Sequence, residues 1–543
     1  MKVRLLVVLA LLALTVGTAG AQTVVHQDVR PVLQAAAAAM GVNNVKTIQI
    51  TGSGTTRILG QSYAPGSNSG NVADEDFPPL DMPSYIRVID YDAKFSREEL
   101  TRRQGNRPAR GGGGIPIQGD QRQIFVNSGN YAWNVNADNS MAPQPALADQ
   151  RLLEIYLTPH GFLKGAMEAE DTKAVTLMMA AEDMGKQAGP GGRKVTYISY
   201  TVFGKYKISG SLDDQNLVER TFTWLGNPVM GDLFWQWDYT QYRDMAGIKF
   251  PGLLHAHWGN IRAEPHHGIE IRVSNIALNT PVGPTAVPDN VRNFTPPPVR
   301  AEGQQLAPGV WLIGGGSHNS VAVEFRDHIA VIEAPLNEER SLAVIREVQR
   351  VIPNKPIRYL VVTHHHWDHS GGIRTYVAQG AILVTHQANR TFLDSLVLDP
   401  SPRTIDPDIL STFYPRFAGD RLPVFETINP RTSQIKSKFV LSDGDRSIEL
   451  HAVPGLNHTS DMLIAYLPKE KLLVNADLYG PPAQGAQPPM PNQSMTTLRN
   501  TIARLGLDVA RHVPLHGQPG THEQFLSIVG AAGAAGGGPG GNQ

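Results

Sequence analysis

Between Asn44 and Asn279 apolar and polar residues alternate in VKTIQIT, SYIRVIDY, RQIFVNS, KVTYISYTVF, ERTFTWL, WQWDYTQY and IEIRVSNIAL. A period of two puts one face of each segment in a core and the other in water, which predicts antiparallel β-sheet. The spacing changes from Ala146 to Met167, where LLEIYL and FLKGAM, around Pro159-His160-Gly161, predict a helical patch. The stretch RRQGNRPARGGGGIP, Arg102 to Pro116, has nothing to bury and is expected to be a mobile loop.

From Thr280 to Arg300 proline and polar residues concentrate, and proline both fixes the backbone and removes a ladder donor, so the pattern marks a boundary. Beyond it the order is strand, helix, strand: HIAVIEAP, NEERSLAVIREVQRVI and IRYLVVT. In the helix Asn337 is the expected cap, Glu338 and Glu339 fill the first turn, and Leu342, Ile345, Val348 and Ile352 share a face. Ile357 to Thr363 is an almost continuous apolar run, the pattern of a strand buried on both faces. Strands ELHAVPG, MLIAYLP, KLLVNAD and RHVPL follow, with a helix from Ser494 to Leu505 and a closing helix that starts at Thr521, with Gln524 in capping-box position.

The chain has 543 residues, more than one core usually serves, so two domains are expected. The expected division is residues 22–290 as an antiparallel β-rich domain, 291–303 as a Pro-rich linker, 304–530 as a second domain and 531–543 as a disordered Gly/Ala-rich tail. Residues 1–21 read as a cleaved secretory signal: Lys2 and Arg4 precede an apolar run, and Ala19-Gly20-Ala21 precedes Gln22. That run falls short of the roughly 20 residues of a membrane-spanning helix, and no later stretch reaches that length, so the expected product is a periplasmic or secreted protein. With 48 Lys+Arg against 49 Asp+Glu the formal charge is −1, which removes the electrostatic case for a nucleic-acid partner and leaves a small molecule as the expected one. Oligomeric state is not legible. The absence of cysteine excludes thiolate nucleophiles, thiolate metal ligands and disulfides, so any metal must be held by histidine and carboxylate.

The chemistry concentrates in THHHWDHSGG, Thr363 to Gly372, at the exit of the buried strand, where layered α/β folds place ligands. It holds four metal-competent side chains, His364, His366, Asp368 and His369. Alternate residues at a strand exit point the same way, so His364 and His366 can share one ion, while Asp368 and His369, displaced around the turn, would face a second. His365 and Trp367 are expected to point away. Further ligands are available at later strand ends: His458 in VPGLNHTSD, Asp477 in LLVNADLYG and His516 in HVPLHGQPG.

These motifs, in this order over Gln304 to Phe525, resemble the metallo-β-lactamase superfamily. The resemblance implies an αββα sandwich for the second domain and hence an α+β chain. It also implies a first zinc on His364, His366 and His458, a second on Asp368, His369 and His516, and Asp477 bridging both. Two divalent ions outweigh two carboxylates, which favours a bound hydroxide; zinc brings the pKa of its water to about 7. The implied function is a dinuclear zinc hydrolase of an ester, lactone, thioester or amide, with Asp368 orienting the nucleophile and Tyr479 donating to an oxyanion. Glu333 stands where the family commonly has Asp, a support for the metal loop. His318, in GGGSHN, lies where the family often has a flap, and reads as an exposed loop histidine or a substrate contact. Aspartate at position 477 and Gly480 three residues on fit the glyoxalase-II-like and lactonase-like branches better than the lactamases.

The first domain weakly resembles the half-barrel of periplasmic lipoprotein carriers, so a lipid- or envelope-binding protein with an accessory metal site is the alternative. A mononuclear iron enzyme like the persulfide dioxygenases is a third reading. The aromatic run Phe234, Trp235, Trp237, Tyr239 and Tyr242 is expected to be core, or else the wall of an apolar groove. His255-Ala256-His257 and His266-His267 are read as structural, because no third ligand accompanies them in sequence.

Overall fold

The computed structural model describes residues 25–65, 77–179, 193–259, 266–398, 403–413, 425–428, 438–483 and 485–530. The signal-like segment 1–21 and the tail 531–543 lie outside the described residues.

The alternating segments form one 14-stranded sheet in which every pairing is antiparallel. Two meanders build it, with Val25–Gln27 added at one edge against Lys173–Met179. One runs from Lys173–Met179 to His266–Leu278 and the other from Thr47–Thr56 to Met141–Pro143, and they join where His266–Leu278 pairs with Thr47–Thr56. The helical patch is two helices, Ala148–Tyr156 and Pro159–Glu168. Thr158 caps the second and breaks the run, and Pro159 takes the first helical position, where its missing N–H costs nothing.

These helices and Val29–Met40 cover one face of the sheet, and their side chains share a core with Trp235, Trp237 and Tyr239. Tyr239 donates to the Leu157 carbonyl and Tyr242 to that of Val218, so the aromatic run is core rather than an open groove. Phe234 faces the opposite way and packs with Phe222 and Trp224 at 5.5–5.6 Å between ring centres. His255 is held by Glu270 at 2.7 Å, and His257 lies 3.3 Å from Asp238. Among the described residues no metal-binding group forms there. Val291 is buried with Phe95, Ile124, Val126 and Trp133, so the start of the Pro-rich stretch packs on this first sheet.

After Leu278 the next strand begins at Glu302. A seven-stranded sheet runs in chain order from Glu302–Ala307 to Phe425–Ile428, and a six-stranded sheet from Lys438–Ser442 to Gly520–Thr521. They pack face to face. Val321, Val323, Val361 and Val384 of the first meet Leu450, Ile464 and Val474 of the second, while the alternate residues Ala322, Leu360, Val362 and Leu383 face a helical layer with Val344, Ile345 and Val348. Burial on both faces from Leu360 to Val362 accounts for the apolar end of Ile357–Val362, while Arg358 near its start is exposed. Helices Gln493–Leu505 and His522–Val529 close the other side through Leu498, Ile502 and Phe525. The chain is thus α+β, with a β-rich N-terminal region and a two-sheet C-terminal sandwich. Asn337 caps Glu338–Val351, and Thr521 with Gln524 forms the expected capping box. Among the described residues no helix is long and apolar enough to cross a membrane.

Candidate metal centre

The buried strand Ile357–Val362 ends beneath the sandwich edge, and the chain after it turns through His364 to His366 into the short helix Trp367–Ser370. That turn delivers four side chains. The loop 453–462 adds His458, the end of Leu472–Asn475 adds Asp477, and the end of Arg511–Pro514 adds His516. Asp477 has φ 57°, a left-handed conformation that aspartate tolerates better than most residues.

All seven, with His318 as an eighth, converge in two adjoining groups, the ligand atoms of each within 4.8 Å of one another: His364, His366, His458 and Asp477 in one, and Asp368, His369, His516 and His318 in the other. Asp477 touches both. Its Oδ2 is 3.3 Å from His364 Nε2, 3.2 Å from His458 Nε2 and 3.0 Å from His369 Nε2, while Oδ1 is 3.0 Å from His516 Nε2.

The outer nitrogens of three rings are tied down. His364 Nδ1 pairs with Thr363 Oγ1 at 3.0 Å, His366 Nε2 donates to the Ser62 carbonyl at 2.8 Å, and His369 Nδ1 donates to Glu333 Oε2 at 2.9 Å. Such contacts fix the tautomer and turn the other nitrogen inward. The inward atoms His364 Nε2, His366 Nδ1 and His458 Nε2 are buried without a hydrogen-bond partner. Three unpartnered imidazole nitrogens beside a carboxylate suit zinc, which takes neutral histidine and carboxylate.

The electrostatics of His364 and His366 agree, while His369 is pulled the other way by Asp477 and Glu333. Burial, then the neighbouring imidazoles, pushes His366 well below the usual histidine range. Burial and the charge of His369 lower His364 too, against the pull of Asp477. Burial favours a neutral Asp477, but the charge of His369 and the close approach of the His364, His369 and His458 rings hold it well below the usual carboxylate range. Asp368 is likewise held low against burial, first by the His318 hydrogen bond and then by His369.

Several surrounding residues differ from expectation. His318 is buried, not an exposed loop residue; its Nε2 lies 3.2 Å from Asp368 Oδ2 and its ring centre 4.0 Å from that of His516. The cause is Asn319, whose N–H and side-chain amide bond to the carbonyls of Leu515, Pro514 and Gly517, drawing the glycine-rich loop onto the segment that carries His516. Glu333, with φ 81°, is fully buried and does reach the site: it accepts from His369 Nδ1 and, at 2.6 Å, from Thr363 Oγ1.

Tyr479 is not brought to the site as an oxyanion donor. Its ring sits in the core, 4.7 Å from Phe525 and 5.1 Å from His512, and its hydroxyl is buried without a partner. Leu478 and Tyr479 are both buried, so the segment after Asp477 dives under the helix instead of lining the cleft.

His365 does point away from the cluster. Its N–H and Nδ1 bond to Asp461 at 3.0 and 2.9 Å, and its Nε2 lies 3.1 Å from Ser62 Oγ. Asp461, fully buried, ties the two histidine loops together; the acid that ends NHTSD gave no sequence signal because its partner lies 96 residues away. The Arg102–Pro116 insertion is also folded, not loose. Gly111 N–H bonds to the Asn457 carbonyl and Gly112 N–H to that of Gln61, and Gly111, Gly113 and Gly114 take positive φ values of 105°, 68° and 85° that need glycine.

Residues 313–516 match the model of the metallo-beta-lactamase superfamily. A linear primary-alkylsulfatase from Pseudomonas sp. (strain ATCC 19151) is 26% identical over 226 residues, covering 36% of this chain and 41% of that enzyme. The chain therefore spans less than half the length of this curated relative. Among solved structures, a metallo-beta-lactamase from Hirschia baltica is 18% identical with a TM-score of 0.31, covering 42% of this chain and 96% of that chain. One from Pontibacter korlensis is 19% identical with a TM-score of 0.30, covering 42% and 99%.

Proposed function

Starting from a C-terminal domain of the metallo-β-lactamase superfamily, we propose that this protein is an exported dinuclear zinc hydrolase that cleaves an ester, lactone, thioester or amide. The observation that carries it is Asp477 in contact with two adjoining histidine groups, one of which holds three inward nitrogens without partners. His364, His366 and His458 would hold one zinc, Asp368, His369 and His516 the other, and Asp477 both. Bound there, zinc would lower the pKa of a water to about 7 and polarise the group under attack.

The chain's own part is orientation. Asp368, kept ionised beside His318, would accept a hydrogen bond from the attacking water and so fix its direction. Glu333, Thr363 and the Ser62 carbonyl lock the imidazoles that would otherwise rotate. His318, buried between Asp368 and His516, offers the cleft one more nitrogen beyond the three expected ligands of that group.

A second reading, hydrolysis of a sulfate ester, is favoured by the alkylsulfatase match. A panel of acyl-lactones, thioacyl esters, β-lactams and alkyl sulfates separates the two. Turnover of a carbon-centred substrate is expected, lost on chelation, restored by zinc, and absent when His364 and Asp368 are both replaced by Ala. Turnover of alkyl sulfates alone would favour the second reading. Turnover that survives the double replacement would contradict both.

A further inference from the structure

Taking the dinuclear zinc reading as its basis, we propose that the N-terminal region supplies one wall of the metal centre, with Gln61 as a positioning residue that holds Asp368 for the second metal. The segment Gly60 to Tyr63 lies some three hundred residues from the histidine motif, yet it is stitched between the two ligand loops. Trp367 N–H bonds to the Gly60 carbonyl at 3.2 Å and His366 Nε2 to that of Ser62 at 2.8 Å. On the other side Ser460 N–H and Thr459 Oγ1 donate to the Tyr63 carbonyl at 2.9 and 3.2 Å. Mostly backbone carbonyls are used, so the strap is fixed by bonds that a side-chain change does not remove.

Within this strap Gln61 Nε2 donates to Asp368 Oδ1 at 2.8 Å. The other oxygen, Oδ2, is then the one that faces His318 and His369. A carboxylate held by one oxygen loses the freedom to rotate away from a cation, and the amide does so without a charge that would compete with the metal. A lysine or arginine in its place would itself neutralise Asp368.

Gly112 completes the wall. Its N–H bonds to the Gln61 carbonyl at 3.0 Å, and a Cβ added to it would overlap Gln61 Oε1 and come within 2.7 Å of His366 Cε1 and 2.8 Å of the inward-facing Nδ1. Real Cβ atoms do not approach that closely, so only glycine lets this loop lie against both groups. The glycine-rich insertion therefore has a reason for its composition that burial alone does not supply.

The test is a zinc competition titration against a chelator on the full-length chain, resolving the two binding steps. Gln61→Ala is expected to weaken one of the two steps about tenfold or more, the scale of losing an outer partner of a ligand, and to leave the other unchanged. Gly112→Ala, which meets both groups, is expected to weaken both steps. Asp232→Ala serves as the structural control. It removes a contact between the same two regions, where Asp232 accepts from Thr404 N–H at 3.0 Å and Ile405 N–H at 3.1 Å, and should move neither step. A Gln61→Ala isotherm that overlays the wild type, or an Asp232→Ala chain that loses the second zinc equally, overturns the positioning role while leaving the zinc reading intact. A wild-type chain that binds fewer than two zincs overturns both.

Discussion

Replacing Asp477 by Asn is expected to reduce bound zinc from two ions to one or none and to cut hydrolysis by more than the roughly 10- to 100-fold that follows loss of an outer partner of a ligand. Asparagine is the informative substitution because it keeps the size of the side chain and tolerates the left-handed backbone at this position, where φ is 57°. What it removes is one negative charge placed within 3.3 Å of four imidazoles from both groups. Glu333 also lies near one histidine of each group, His364 and His369, but Asp477 is the carboxylate within 3.3 Å of two histidines of each. Metal content by elemental analysis, read beside turnover, checks this. An Asp477→Asn chain retaining two ions would mean that the carboxylate is not the bridge.

Glu333→Gln should act on one side only. The carboxylate receives His369 Nδ1 and Thr363 Oγ1 in a fully buried place. An amide that keeps its oxygen at the Oε2 position, where both donors arrive, turns its NH2 toward the Thr363 N–H that Oε1 faces at 3.4 Å, so that buried donor loses its acceptor at a cost of about 1–3 kcal/mol. Burial opposes a charged His369, yet Asp477 and Glu333 pull it well above its ordinary range, so the loss also changes the charge held by that ring. The expected outcome is a lower urea midpoint and a second zinc bound roughly 10- to 100-fold more weakly, with the first unchanged. Unchanged stability together with unchanged second-site affinity would remove Glu333 from the support of the centre.

The parts of this protein that were legible in its sequence are those governed by local periodicity and local motif. Strand alternation from Thr47 to Leu278 follows from one buried face, and the His364 to His369 motif sits where a buried strand must end. His458, Asp477 and His516 were legible because each also lies at a strand end, and the structure brings all of them to the motif. What escaped was set by contacts between distant segments. Nothing near His318 announces that Asn319 will bind the carbonyls beside His516, and nothing near Gly112 announces that it will lie on His366. Glycine density in a sequence suggests looseness, whereas here it permits close approach. Tyr479 failed for the opposite reason: proximity in sequence to Asp477 suggested the cleft, but burial against Phe525 decided its direction.

The sharpest single measurement is anomalous scattering from crystals of the zinc-loaded protein, recorded above the zinc absorption edge. Two peaks about 3.5–4 Å apart, one beside His364, His366 and His458 and one beside Asp368, His369 and His516, with Asp477 between them, are predicted. A single peak, or two peaks that do not share Asp477, would contradict a dinuclear centre in this chain.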